Sequence, residues 1–140
     1  MEYQSRPAIV PALERATHAL SLWIDRSFKE MDVSHPEAHV LGYLAHVHQC
    51  AINDLHLSFG HKRSTLTSIL DRLERRGLIR REPHPRSRRL VLVRLTEEGR
   101  PIAARVGEAL SALDDALVAR SSEEDVAAFR RVIKIIEEVL

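Results

Sequence analysis

The chain has 140 residues and a formal net charge of +1, and 44% of its residues are hydrophobic while 29% are charged. That length suffices for one domain with its own core, and the composition excludes a disordered chain. One cysteine excludes an intrachain disulfide, and the N-terminus has no apolar signal core. Because no apolar run approaches membrane-spanning length, we expect a cytoplasmic protein with no membrane partner.

Two helices are predicted in the first third of the chain. An amphipathic pattern of three- and four-residue spacing covers about residues 11–31, and Pro7 and Pro11 keep that helix from beginning earlier. Ser34 begins a separate helix, because Ser34 and Glu37 have the spacing of a capping box, in which side chains satisfy backbone donors left unpaired in the first turn.

A helix, a tight turn and a second helix are predicted between residues 52 and 76, with Gly60 at the turn. The apolar residues of the second helix have helical spacing, so one side packs inward; they are Leu66, Ile69, Leu70 and Leu73. Gly77 follows, where helices commonly end in a left-handed residue. This order is typical of a helix-turn-helix, whose second member enters the major groove of DNA.

A basic hairpin is predicted next, with extended runs at residues 78–82 and 88–95 joined by a turn at 83–87. From His61 to Arg94 the chain holds eleven Lys or Arg against three acids, a net charge of +8 that leaves −7 for the rest. Phosphate backbones account for such segregation, because cations that neutralise phosphates release counterions. The alternative is a solvated basic face without a partner. The helix and hairpin together indicate a winged helix that reads double-stranded DNA.

A fifth helix is predicted from Thr96 to Arg120, and a sixth begins after a cap at Ser121 or Ser122. The first and last helices carry more apolar residues than a domain of this size covers, so we expect a two-fold homodimer. The fold class is therefore mainly α, with about six helices and a two-stranded β wing. Residues 1–140 form one domain, with a winged-helix core at about 33–99 and dimerisation helices at about 11–31 and 100–140.

The stretch from about Val33 to Gly99 resembles the MarR family of bacterial winged-helix regulators. Three segments carry the resemblance, namely Arg63–Thr67, Asp71–Ile79 and Leu95–Gly99. The resemblance implies a homodimer on pseudo-palindromic DNA, usually a repressor of nearby transport or detoxification genes. It also implies release of the DNA by a small molecule or by oxidation.

The candidate DNA contacts fall into three groups. Short side chains that can reach base edges are Ser64, Thr65, Thr67 and Ser68. Cations that hold phosphates and set the register are Lys62, Arg63 and Arg72. The wing arginine that enters the minor groove is Arg88 by position, and Arg86 or Arg89 could share that task.

Three positions depart from the pattern of similar proteins. Lys62 stands where a serine cap is common, and Ser87 stands where the wing usually carries an aspartate. A second common wing acid is replaced by His84. Arg88 therefore lacks the acidic partner that is common beside the wing arginine of similar proteins.

The resemblance also implies an effector pocket between the first two helices, for which Trp23, His39 and Tyr43 are candidates; a core role is the alternative. Eight histidines include His35 and His39 on one helical face, but we favour scattered solvent-facing side chains and expect no metal and no cofactor. Cys50 is interpreted as a buried bystander, not a redox sensor.

The leading hypothesis is a dimeric, ligand-responsive repressor. Alternatives are a metal- or oxidant-responsive regulator of the same fold, a constitutive DNA-binding protein without an effector, and a protein-interaction module that has lost DNA contact. An enzyme is not expected, because the chain has no glycine-rich phosphate loop, no activated nucleophile pairing and no metal-hydrolase spacing.

Overall fold

A computed structural model describes residues 8–60 and 62–140, so the expectations for Pro7 and His61 lie outside the described residues. Within those ranges the elements are α1 (Ile9–Ser27), a short 3-10 helix (Lys29–Met31), α2 (His35–Val47), β1 (Gln49–Ala51), α3 (Ile52–Phe59), α4 (Arg63–Arg75), β2 (Ile79–His84), β3 (Ser87–Leu95), α5 (Gly99–Ala119) and α6 (Glu123–Val139). Within the described part of the chain, no helix combines the length and apolar character needed to cross a membrane.

The first helix differs from the prediction at both ends. It begins at Ile9, because Pro11 then lies in the first turn, where a missing backbone N–H costs no helical hydrogen bond. It ends at Ser27, before the 3-10 turn and Asp32, whose φ of 54° is left-handed. Half of the predicted capping box of α2 is present, since the Ser34 hydroxyl accepts the backbone N–H of Glu37 at 3.4 Å. The Glu37 carboxylate instead accepts the Ser34 hydroxyl and pairs with Arg76.

The helix-turn-helix is confirmed. Gly60 joins α3 to α4 with a φ of 64°, and Gly77 follows α4 with a φ of 73°, conformations that favour glycine. The predicted inward face of α4 is at most 1% exposed and lies in the central core; it consists of Leu66, Ile69, Leu70 and Leu73.

The sheet is larger than predicted. Its order is β1-β3-β2, all antiparallel, with a turn of two residues, Pro85 and Arg86, between the wing strands. The third strand, β1, was not predicted because it has three residues and no alternation of its own. Pairing of Cys50 with Val93 places it in the sheet.

The start of α5 is fixed against the wing. The helix begins at Gly99 and not at Thr96, where it was predicted to begin. The Thr96 hydroxyl accepts the backbone N–H of Gly99 at 3.0 Å and donates to the carbonyl of Gly77, so Thr96 supports the first turn from outside the helix. Further along, a Cβ on Gly107 would lie 3.0 Å from Cβ of Ala45, so α2 and α5 approach closely there. The expected cap of α6 is formed by Ser122.

Candidate nucleic-acid interface

One side of α4 is exposed and polar because its apolar residues are all turned to the core. The exposed side carries every residue that we predicted for base or phosphate contact on this helix, namely Lys62, Arg63, Ser64, Thr65, Thr67, Ser68 and Arg72. Two of the hydroxyls already donate within the helix, Thr67 to the carbonyl of Arg63 at 2.8 Å and Ser68 to that of Ser64 at 3.1 Å. Their oxygens therefore present lone pairs outward, as acceptors.

The N-terminal end of α4 is positively polarised. Lys62 stands at the N-cap and makes no side-chain capping hydrogen bond. The first-turn N–H groups are thus left without a capping side chain, and the helix dipole adds partial positive charge to Lys62 and Arg63. Such an end favours an anion.

The wing presents three exposed arginines, Arg86, Arg88 and Arg89. Among the described residues, none of the three takes part in an ion pair. They lie at the turn between β2 and β3 and at the start of β3. The cations of the wing tip therefore remain available to an external anion.

Other arginines of the basic segment form ion pairs with acidic side chains of the same chain. Arg81 pairs with Asp71 and with Glu74, the latter at 3.1 Å, and its backbone N–H donates to Glu74 at 2.8 Å. These hydrogen bonds from Arg81 lower the pKa of Glu74 below its ordinary value. Arg94 pairs with Glu82 at 3.4 Å. These two arginines thus pair with all three acids of the segment, and most of its remaining cations lie on α4 and at the wing tip.

A cleft of about 330 Å³ lies between α3, α4 and the wing. Its lining joins the predicted residues Arg63, Thr67 and Arg89 to Asn53 and His56 of α3. Neither Asn53 nor His56 was predicted to belong to this site. Their spacing of three residues places them on one side of a helix and is the signal that could have identified them.

The three effector-pocket candidates are not all brought together. His39 and Tyr43 both pack on Phe59, with ring centroids 5.6 and 5.9 Å away, whereas Trp23 packs edge-on against Phe28. His39 also lines a cavity of about 410 Å³ whose other lining residues are His35, Pro36, Ser58 and Phe59.

Two imidazoles are hydrogen-bonded beside that cavity. Nε2 of His35 lies 2.8 Å from Nε2 of His39, and Nδ1 of His35 lies 2.9 Å from the hydroxyl oxygen of Ser21 on α1. Across residues 8–60 and 62–140, no group of three His, Cys, Asp or Glu side chains is arranged to hold a metal ion.

Cys50 is buried in the sheet, with 8% of its surface exposed. Burial raises the pKa of its thiol to about 11, and the charge of Asp54 adds to the effect. A thiol in this environment is a poor nucleophile, because the thiolate is the reactive form.

Together these elements define a winged helix-turn-helix protein with a polar recognition helix and a cationic wing. Residues 31–90 match the model of the MarR family. The chain is 35% identical over 72 residues to the transcriptional regulator HosA of Escherichia coli O111:H-, a match that covers 51% of the chain and 53% of HosA. It is 39% identical over 77 residues to the regulator PecS of Dickeya dadantii strain 3937, covering 55% of the chain and 46% of PecS.

The chain thus spans about half the length of the curated relatives that it matches. Solved structures share the fold over a longer range at 21% identity. The MarR structure from Oenococcus oeni PSU-1 has a TM-score of 0.83 and covers 91% of this chain and 97% of its own. The structure of S. aureus MepR in its DNA-binding conformation has a TM-score of 0.81, and the match covers 92% of this chain and 96% of the MepR chain. The chain therefore resembles the MarR family over residues 31–90 and shares its fold with these solved structures.

Proposed function

We propose that the protein is a transcription regulator that binds double-stranded DNA as a homodimer on a pseudo-palindromic operator. One observation carries the proposal: the exposed polar side of α4 and the exposed arginines of the wing belong to one winged helix and meet at a common cleft, which Arg63, Thr67 and Arg89 line. The match of residues 31–90 to the MarR family model and the likeness to the regulators HosA and PecS support it.

In the proposed complex, α4 lies in the major groove. Its short side chains reach base edges, and the acceptor oxygens of Thr67 and Ser68 suit the amino groups of adenine and cytosine. Lys62, Arg63 and Arg72 hold phosphates and set the register. Arg88 enters the neighbouring minor groove, where the negative potential is greatest over narrow A-tracts.

The cleft between α3, α4 and the wing is assigned to a backbone phosphate. Arg63 and Arg89 supply charge from two sides, and Asn53 supplies amide donors. A phosphate at this place would be held by three elements at once, and so would fix the angle between the recognition helix and the wing. The phosphate assignment adds Asn53 and His56 to the predicted contacts.

Homodimerisation accounts for the apolar surface of the terminal helices. Phe129 and Leu140 are 63% and 98% exposed in the single chain, and Leu117 of α5 is 58% exposed. Exposed apolar side chains lie on α1, α5 and α6, and apolar surface of this kind marks an interaction site where it is contiguous. A two-fold pair that interlocks these helices would cover them and would present two recognition helices about one turn of DNA apart.

A small-molecule effector is the proposed control of this regulator, which we assign as a repressor. The cavity beside His35, His39 and Phe59 lies between α2 and the end of α3, close to the turn of the helix-turn-helix. An oxidant acting on Cys50 is disfavoured, because its thiol is buried and its pKa is raised. A ligand wedged against α3 would change the placement of α4 and thereby release DNA.

Selection of bound duplexes from a random pool tests the proposal, followed by titration of the best duplex at several salt concentrations. We expect an enriched pseudo-palindrome and an affinity that falls steeply with salt, since each neutralised phosphate contributes about 0.9 to the logarithmic slope. Repeating the titration with a panel of aromatic acids tests the effector. A pool that shows no enrichment would reject sequence-specific binding, and an affinity independent of salt would reject the phosphate contacts.

A further inference from the structure

The wing tip contains a bulge at the place where the arginines lie. Pro83 of β2 is opposite Val91 of β3, whereas the next residue, His84, is opposite Ser87. Arg88, Arg89 and Leu90 therefore lie between two paired positions without partners across the hairpin. Bulges redirect side chains, so the path of this segment determines where Arg88 and Arg89 point.

The turn that precedes the bulge is of an unfavourable kind for a hairpin. Two-residue hairpins favour turns with positive φ, because those match the twist of the strands. Among the described residues, positive φ occurs at Asp32, His48, Gly60 and Gly77, so neither Pro85 nor Arg86 has it. The turn must then be stabilised by something other than its backbone.

Two uncharged side chains supply that stabilisation. Nδ1 of His84 accepts the backbone N–H of Arg86 at 3.0 Å, and the Ser87 hydroxyl accepts that of Arg89 at 3.3 Å. Both bonds reach two residues forward, as aspartate, asparagine and serine do at the first position of a turn. An imidazole can accept in this way only when Nδ1 carries no proton.

We infer that His84 and Ser87 are positioning residues of the wing, which together set the direction of Arg86, Arg88 and Arg89 toward DNA. Their neutral nitrogen and oxygen atoms accept backbone N–H groups that carboxylates could also accept. Unlike carboxylates, they add no negative charge beside the arginines. The expected effect on DNA affinity rests on the proposed function. The two hydrogen bonds of the wing can be tested in the free protein, without DNA.

The first test measures binding to the best duplex from the random pool. His84→Ala removes the acceptor and should weaken binding roughly fivefold, the equivalent of one ordinary hydrogen bond. His84→Asn retains an acceptor at a similar position and should restore wild-type affinity. His46→Ala, at an exposed histidine of α2, is the matched control. The salt slope should change by less than one in these variants, since the arginines are retained and only their direction is altered.

The second test uses nuclear magnetic resonance on the free protein at about pH 8, where an ordinary imidazole is neutral. Imidazole nitrogen shifts should show His84 protonated at Nε2, and amide exchange at Arg86 should quicken severalfold in His84→Ala. A proton on Nδ1, unchanged exchange, or failure of asparagine to rescue would overturn the inference. If the wild type binds no duplex but these spectra are as expected, the proposed function fails and the wing geometry stands.

Discussion

Nη1 of Arg76 lies 3.1 Å from Oε2 of Glu37, which joins the end of α4 to the first turn of α2. The Glu37 side chain is 8% exposed, and its second oxygen accepts the Ser34 hydroxyl at 2.7 Å. Arg76 also donates to the carbonyls of Met31 and Asp32. One guanidinium therefore fixes the recognition helix to the whole connection between α1 and α2.

Replacing Arg76 should destabilise the fold. Arg76→Met leaves the Glu37 carboxylate buried without its cation, and we expect a loss of about 2–3 kcal/mol in the free energy of unfolding, below the value for a fully buried pair because Arg76 is partly exposed. Urea unfolding measures it. Arg75→Met, at the exposed neighbouring position, is the matched control and should change stability by less than about 0.5 kcal/mol. If both variants lost the same unfolding free energy, the loss could not be assigned to the pairing of Arg76 with Glu37.

The pairing of Glu74 with Arg81 predicts a pH-dependent contribution to stability. Because the pKa of Glu74 is lowered in the folded protein, its contribution is complete above the ordinary carboxyl value of 4.5 and is lost as the pH falls through the lower folded value. The difference in unfolding free energy between wild type and Glu74→Gln should therefore shrink in acid. We expect it to be under about 1 kcal/mol at neutral pH, since the pair is partly exposed.

The same comparison in an Arg81→Gln background provides the control for Glu74. Without the guanidinium, the pH-dependent part of the difference should disappear. A difference that persists unchanged in that background would assign the stabilisation to another group.

Gly99 should tolerate no side chain. A Cβ at this position would lie 1.9 Å from the carbonyl oxygen of Leu78, which is backbone and cannot move aside cheaply. Gly99→Ala should therefore cost at least about 1–3 kcal/mol, although alanine is the better helix former by about 1 kcal/mol. Thermal unfolding measures it, with Glu98→Ala as the exposed neighbouring control. Stabilisation by Gly99→Ala would show that α5 begins farther from the wing.

Much of the fold could be predicted because most of its elements are determined by residues that are neighbours in the sequence. Each of these features depends only on residues close by in the sequence. They are the leucine and isoleucine spacing of α4, the glycine turns and the serine caps. β1 could not be predicted, because it depends on pairing with β3, more than forty residues away. The early end of α1 likewise depends on the turn that brings the carbonyls of Met31 and Asp32 to Arg76.

The site was harder to predict for the same reason. A count of charges in the sequence treats all eleven cations of the basic segment alike. In the structure, Arg76, Arg81 and Arg94 form ion pairs with acidic side chains of the same chain. Glu37, the partner of Arg76, lies outside the segment that was counted. Asn53 and His56 enter the cleft only because α3 is folded beside the wing.

Cys50 should not control DNA binding through oxidation. Its thiol has a pKa of about 11, so well under about 1% is thiolate near neutral pH, and oxidation by peroxide requires the thiolate. We expect peroxide-treated protein to retain its affinity for the selected duplex, and alkylation of Cys50 by iodoacetamide to be slow unless the protein is unfolded. Peroxide release that is abolished in Cys50→Ala would support the oxidant-responsive alternative instead.

Arg88 should make the largest single contribution of the wing to DNA binding. It is exposed, it takes part in no ion pair with any described residue, and it lies in the part of β3 that has no paired residue on β2. Arg88→Ala should weaken binding to the selected duplex by about 1–3 kcal/mol, the value of one good contact, and should reduce the salt slope by about one. Gel-shift titration at several salt concentrations measures both quantities. Arg105→Ala, at an exposed arginine of α5, controls for the loss of a positive charge alone, because it removes the same charge away from the wing. Equal effects of Arg88→Ala and Arg105→Ala would mean that the wing attracts DNA only through its net charge, without entering a groove.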